Sequence, residues 1–410
     1  MVGCCWMSPF RWLALTHIVG CLCVGTYSSL FRFEDVYPAA RIISSNSIPS
    51  GAVLASSLVG QPVYVSMTTM SSRIGNVHKT IRQIFGGRVI PDRLFLFISR
   101  EPFLLDRGIA NDSVIPSDLR DLALKGVYPL SVIYTDNLGS HRKLLPLLAK
   151  KWEEDCIIAT FDDEPKDEGK LGQYLSQLIK YYLASNRSAV VSLKARRIGL
   201  CRSSPWLSRN YGYWQVTSAG KHELFLLPTG TGSVLYRPRF FHPIVFDSRL
   251  RNLTATADDL MFRLSAMVRG TRVVTGCRDS YARDRDTGLL SVTRCPDAAV
   301  IGGPGGASPP APPSERGRGR RRLIGSLAQL NLHKKGNDWA WANASLYLQD
   351  LGLLNLTALA ERVMPFERGP ECDPKTWDSV PLRGRRDALG KELQRQRREC
   401  ALTICRPTSV

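Results

Sequence analysis

The sequence predicts an α/β fold, a mostly parallel sheet flanked by helices. Three observations predict it. Short apolar runs alternate with segments of helical period across residues 61–193, the pattern of strand and helix units feeding one sheet. Polar and acidic residues follow the strand runs directly, at Asp136 and after Phe161, where open α/β sheets bind their ligands. The chain has 410 residues, 44% hydrophobic and 22% charged, enough apolar material for a sizeable core.

From the N-terminus, residues 1–11 form a short tail. Trp12 to Phe31 then runs without Asp, Glu, Lys or Arg, bracketed by Arg11 and Arg32. That length suits a helix crossing the bilayer core, and predicts a signal anchor at 12–31 with the remainder in the lumen; a cleaved signal peptide is the competing reading. Glycosylation sequons at Asn111, Asn186, Asn252, Asn343 and Asn355 agree with lumenal exposure. Residues 32–60, rich in Ser, Ala and Pro, read as a stem.

The α/β domain is expected over 61–296. Val63 to Ser66 is a strand, Arg73 to Phe85 a helix with Ile74, Val77, Ile81, Ile84 and Phe85 on one face, and Leu94 to Ile98 a strand. Leu130 to Tyr134 is a strand, His141 to Trp152 a helix, Cys156 to Phe161 a strand, Leu171 to Leu183 a helix and Ala189 to Leu193 a strand. Residues 297–322, dominated by Gly, Pro, Ala and then Arg, form a disordered insert. Residues 323–372 hold two helical stretches, Leu323 to Leu332 and Trp339 to Leu354, expected to pack back on the core, and 373–410 is a basic tail.

The formal net charge is +19, much of it in clusters at Arg316–Arg322, Arg383–Arg386 and Arg395–Arg398. Their Gly- and Pro-rich or terminal settings suit solvated segments, although a basic excess also suits an anionic partner. The eleven cysteines form no CxxC pair, which argues against a zinc ribbon.

The run Ile157-Ile158-Ala159-Thr160-Phe161-Asp162-Asp163-Glu164 carries the chemistry. A strand delivers three adjacent carboxylates that repel one another, so a cation is their natural partner. Hard oxygen ligands suit Mg²⁺ or Mn²⁺. The plainer reading is an acidic turn capping a helix. Asp258-Asp259 precedes Leu260-Met261-Phe262 and opens a helix, where negative charge also suits the helix dipole. Gly230-Thr231-Gly232 is a turn into the strand Val234-Leu235-Tyr236; no P-loop lysine follows it. Trp214 with Tyr211 to Tyr213 is an aromatic patch suited to stacking on a sugar or to core packing.

Six segments resemble one family. They are Val-Ser-Met-Thr-Thr-Met-Ser-Ser-Arg (65–73), Pro-Asp-Arg-Leu-Phe-Leu-Phe-Ile-Ser (91–99), Asp-Asn-Leu-Gly-Ser-His-Arg-Lys-Leu-Leu-Pro (136–146), Thr-Phe-Asp-Asp-Glu (160–164), Leu-Pro-Thr-Gly-Thr-Gly-Ser-Val-Leu-Tyr-Arg-Pro (227–238) and Ala-Asp-Asp-Leu-Met-Phe-Arg (257–263). In this order over 61–280 they resemble a eukaryotic or algal family of nucleotide-diphospho-sugar transferases with the glycosyltransferase-A fold. The resemblance implies a Rossmann-type mixed sheet and a type II enzyme of the Golgi or endoplasmic reticulum membrane, held by one N-terminal helix. It implies metal ligands at Asp162 and Glu164 for Mn²⁺ or Mg²⁺, and donor-binding positions at Thr68, Arg73, Asp136, Lys143 and Asp163. The base would be Asp259, ahead of Asp258, deprotonating the acceptor hydroxyl with inversion. Gly230, Gly232 and Trp214 would line the acceptor side. The implied partners are a nucleotide-diphosphate sugar and a glycan, glycoprotein or lipid acceptor, with no nucleic acid. Glu164 stands where the family motif ends in Asp, which favours a competing reading, a catalytically inactive glycan-binding relative. The basic clusters also admit a nucleic-acid-binding protein, and the acidic run a metal-dependent phosphohydrolase.

Overall fold

Nine strands join in one mixed sheet. They are β1 (Ile43–Ser44), β2 (Val63–Thr68), β3 (Arg93–Ile98), β4 (Leu130–Tyr134), β5 (Ile157–Thr160), β6 (Val190–Ser192), β7 (His222–Glu223), β8 (Val234–Tyr236) and β9 (Val273–Thr275). The order across the sheet is β1-β4-β3-β2-β5-β8-β6-β9-β7. The computed structural model describes residues 43–44, 51–124, 128–164, 170–201, 204–208, 211–217, 219–276, 280–283, 290–293 and 336–363. The expected N-terminal tail, the anchor at 12–31, Leu323 to Leu332, the insert at 297–322 and the C-terminal tail lie outside these residues. Among the described residues no helix is long and apolar enough to cross a membrane.

Strands β4, β3, β2 and β5 run parallel. Val63, Val65, Met67, Leu94 to Ile98 and Ile157 to Ala159 are almost wholly inaccessible, as expected of strands covered on both faces. Strand β8 enters antiparallel between β5 and β6, with Val234 opposite both Thr160 and Ser192. Its reversed direction positions the site: the turn before β8 emerges at the same sheet edge as the loops after β2 and β5. Strand β9 is parallel to β6, while β7 and β1 close the two edges antiparallel.

The helices are α1 (Ala55–Val59), α2 (Val77–Phe85), α3 (Ser117–Leu124), α4 (Leu145–Lys150), α5 (Lys170–Ala184), α6 (Ser248–Leu253), α7 (Asp258–Val268), α8 (Gly336–Asp350) and α9 (Leu356–Val363). In one group α1 and α2 pack on α5 and α3 packs on α2; a second packs α6, α7 and α8 together. Helix α2 buries Val77, Ile81, Ile84 and Phe85 of the expected stripe, together with Thr80, but starts four residues later than expected, leaving Ile74 in the turn before it. Gly87 and Gly172 bring α2 and α5 together so closely that a Cβ on either would strike the backbone of the other.

Two departures from the sequence reading have local causes. The helix expected over His141 to Trp152 is divided into a 3₁₀ turn at Gly139–Lys143 and α4. Pro146, in the first turn of α4, has no amide to donate and so suits a fresh helix start. The expected stem is structured at its end: α1 buries Ala55 and Val59, and Val53–Leu54 pairs with Val89–Ile90. An apolar pair four residues apart on one helical face outweighs a loop-like composition.

Candidate active site

The loops at the carboxyl ends of β2 and β5, the turn before β8 and the start of α7 enclose a cleft of about 630 Å³. On one side, Thr69 Oγ1 donates to Asp163 Oδ2 at 2.7 Å and Thr80 Oγ1 donates to the Asp163 carbonyl at 2.9 Å. Arg73 Nη1 lies 3.0 Å from Asp163 Oδ1 and 3.1 Å from Glu164 Oε1. Asp163 is thus turned into the protein, whereas Glu164 faces solvent. Burial raises the Asp163 carboxyl despite the opposing pull of Arg73 and Thr69.

Lys143 stands on the cleft floor among three carboxylates. Its Nζ is 2.8 Å from Asp258 Oδ2 and 3.6 Å from both Asp162 Oδ1 and Asp259 Oδ1. Burial alone would depress this amine, but the three carboxylates hold it well above its ordinary value. The aspartates at the start of α7 then part ways. Burial opposes ionisation of Asp258, yet the adjoining ammonium holds it below the usual carboxylate range. Asp259 is pushed up to about 7, first by burial and then by crowding from Asp258 and Asp162, which together outweigh Lys143 and the amide of Gly230.

Asp259 Oδ2 accepts a hydrogen bond from the Gly230 amide at 3.0 Å, while Oδ1 makes none. The side chain keeps 26% of its surface accessible, so the cleft can reach it. Gly230 sits close to the charged cluster: a Cβ there would lie 2.5 Å from Lys143 Nζ and 3.1 Å from Asp162 Oδ1, so the lysine would have to move.

Beside this acidic floor lies a closed polar bridge. Arg142 donates from Nε to Thr68 Oγ1 at 2.7 Å, from Nη1 to Asn137 Oδ1 at 3.0 Å, and from Nη2 to the Thr69 carbonyl at 2.7 Å and Asp106 Oδ2 at 2.9 Å. Burial opposes ionisation of Asp106, but the amides of Ser71 and Gly108 and the Arg142 guanidinium lower it. His141, pushed down to about 4 by burial, is neutral and packs edge-on to Phe262.

The structure brings Thr68, Arg73, Lys143, Asp162, Asp163, Glu164, Gly230, Asp258 and Asp259 to one cleft. Asp136 is exposed outside it. Gly232 closes the 3₁₀ turn Gly230–Gly232. Trp214 is buried behind the wall, edge-on to Trp341 of α8 with ring centroids 5.4 Å apart. Tyr211 of that patch reaches the cleft. Sequence reading missed Asp106, Lys194, Arg196 and Asn337 as cleft residues. The two cations alternate directly after β6, a period-two signal that could have placed them on one face.

The donor set suits a hard cation chemically. Five carboxylates, Asp162, Asp163, Glu164, Asp258 and Asp259, meet two cations, Lys143 and Arg73, at this end of the cleft. Among the described residues, however, no three His, Cys, Asp or Glu side chains already converge on one metal position. No protein-family model and no curated protein matches the chain.

Proposed function

We propose that the chain is a glycosyltransferase that moves a sugar from a nucleotide-diphosphate sugar to a hydroxyl of a glycan, glycoprotein or lipid, in the lumen of the Golgi or endoplasmic reticulum. The observation that carries this reading is the pairing of two unlike aspartates at the start of α7: Asp258 is tied to Lys143, while Asp259 is reachable and pushed up to about 7. A carboxylate poised near neutrality is suited to taking a proton in the transition state.

Asp259 accepts the proton of the acceptor hydroxyl as that oxygen bonds to the anomeric carbon. The bond from that carbon to the phosphate oxygen breaks on the opposite side, and the nucleoside diphosphate leaves with inversion. Gly230 holds the base through its amide, and Asp258 with Lys143 fixes the turn from which it projects. Asp162 and Glu164 would hold the Mn²⁺ or Mg²⁺. Glu164 is available for this, since its ion pair with Arg73 is exposed and such pairs contribute at most about 1 kcal/mol. A bound divalent ion supplies charge neutralisation on the departing diphosphate.

The test is a panel of nucleotide sugars with Mn²⁺ or Mg²⁺, read by release of nucleoside diphosphate. Turnover by the wild type, lost in Asp259→Asn and Asp162→Ala, supports the reading. Absence of turnover with every donor, with the fold intact, would instead support an inactive glycan-binding protein. The occupation of Glu164 by Arg73 is the observation that favours that second reading.

A further inference from the structure

Arg196 lines the same cleft, on the short strand Ala195–Arg197, which pairs with Leu226–Pro228. The neighbouring Lys194 carbonyl accepts hydrogen bonds from the amide and hydroxyl of Thr229, and Gly230 then binds Asp259. The strand that carries Arg196 is therefore linked through Thr229 and Gly230 to the proposed base.

Its guanidinium is held from two directions. Nη1 donates to the Trp214 carbonyl at 2.7 Å, and Cζ lies 5.1 Å from the centroid of the Tyr211 ring. That platform is itself braced by α8: Asp338 Oδ1 accepts from the Tyr211 amide at 2.6 Å, and Trp214 packs on Trp341. The other cleft arginines, Arg73 and Arg142, pair with carboxylates, and the adjacent Arg197 pairs with Glu223 at 2.6 Å. Among the described residues no carboxylate pairs with Arg196. A guanidinium fixed in place, with donors left over and no matching charge, is suited to a planar anion.

We propose that Arg196, stacked on Tyr211, binds an anionic group of the acceptor, so that the acceptor is an acidic glycan whose carboxylate or sulfate meets this guanidinium. The inference rests on the sugar-transfer reading. The substrate hydroxyl then faces Asp259 while Arg196 holds the anion.

The probes are p-nitrophenyl β-glucuronide and p-nitrophenyl β-glucoside, which differ by one carboxylate, titrated against the whole chain by calorimetry or ligand-observed NMR. The glucuronide is expected to bind tighter by about tenfold or more, the range of a charge-assisted hydrogen bond. Arg196→Gln removes the preference, and Arg197→Gln, on the opposite face of the strand, keeps it. Equal affinity for the two sugars, or a preference that survives Arg196→Gln, overturns the proposal. Titration with UDP separates an acceptor contact from a donor contact: a loss of UDP affinity in Arg196→Gln as large as the loss for the glucuronide also overturns it, by making the contact one with the donor. If nucleotide-sugar turnover occurs without any glucuronide preference, this inference fails alone. If no donor turns over, the transfer reading fails, whatever the sugar titrations show.

Discussion

Arg142 and Lys143 are neighbours in one 3₁₀ turn and both are buried, yet they meet opposite surroundings. Arg142 spends its donors on Thr68, Thr69, Asn137 and Asp106, a set that closes on itself. Lys143 faces three carboxylates with one positive charge. Satisfied buried networks rigidify a fold. A cluster with more acid than base leaves one group ready to bind a proton, the property that the proposed general base requires. The comparison separates two kinds of polar residue that lie side by side in the sequence.

The largest effect is expected of Asp259→Asn. Turnover is expected to fall by about 10²–10⁴-fold, the usual contribution of a positioned general base, in an assay of nucleoside diphosphate release. The same variant is expected to be more stable than wild type at pH 8. The folded Asp259 carboxyl lies at about 7, against about 3.9 for an unfolded aspartate. Between those values the unfolded chain releases a proton that the folded chain keeps, so wild-type stability falls as pH rises. Asparagine removes that loss. The difference in Tm is therefore full above pH 7 and absent below about pH 4. A variant that loses both activity and stability at pH 8 would assign Asp259 to the structural class with Arg142.

Arg142→Ala is expected to do the reverse. Breaking a buried, hydrogen-bonded pair costs about 3–5 kcal/mol, because Asp106 is left without its cation. Denaturant unfolding measures this directly. A midpoint unchanged from wild type would mean that solvent enters and that the bridge is not closed. Gly230→Ala is expected to cost less, about 1–3 kcal/mol for overpacking. Its added methyl group meets the Lys143 ammonium and Asp162, so turnover should fall more than stability does.

Much of the frame was legible in the sequence because it rests on short-range pattern. The apolar runs before Asp162 and before Asp136 are strands, and Asp258 does begin a helix. What was not legible depends on contacts far apart along the chain. Nothing near Asp106 announces that it will pair with Arg142. The place of Trp214 depends on Trp341, which reaches it from α8. Asp136 follows a strand as expected, but β4 lies next to the β1 edge of the sheet, away from the strands that frame the cleft. Nor can charge crowding along Asp162-Asp163-Glu164 show which side chain turns inward. That choice is made by Thr69 and Thr80, whose hydroxyls bind Asp163 and leave its neighbours outside.

The smallest expected effect tests that choice. Asp163 and Glu164 share Arg73, but the Asp163 side chain is 4% accessible and that of Glu164 58%. Glu164→Gln should leave stability within about 0.5 kcal/mol of wild type, as surface substitutions usually do. Arg73→Gln removes a counter-charge from a buried carboxylate that burial already raises. Its folded value moves further above the unfolded one, so the variant's stability deficit should grow as pH rises from 5 to 8. Arg73 is itself 41% accessible, and solvent screening keeps the deficit near 1 kcal/mol. Paired thermal melts at the two pH values read the difference. A deficit that does not change with pH would mean that Arg73 acts through packing of its aliphatic stem, and that the two carboxylates are held alike.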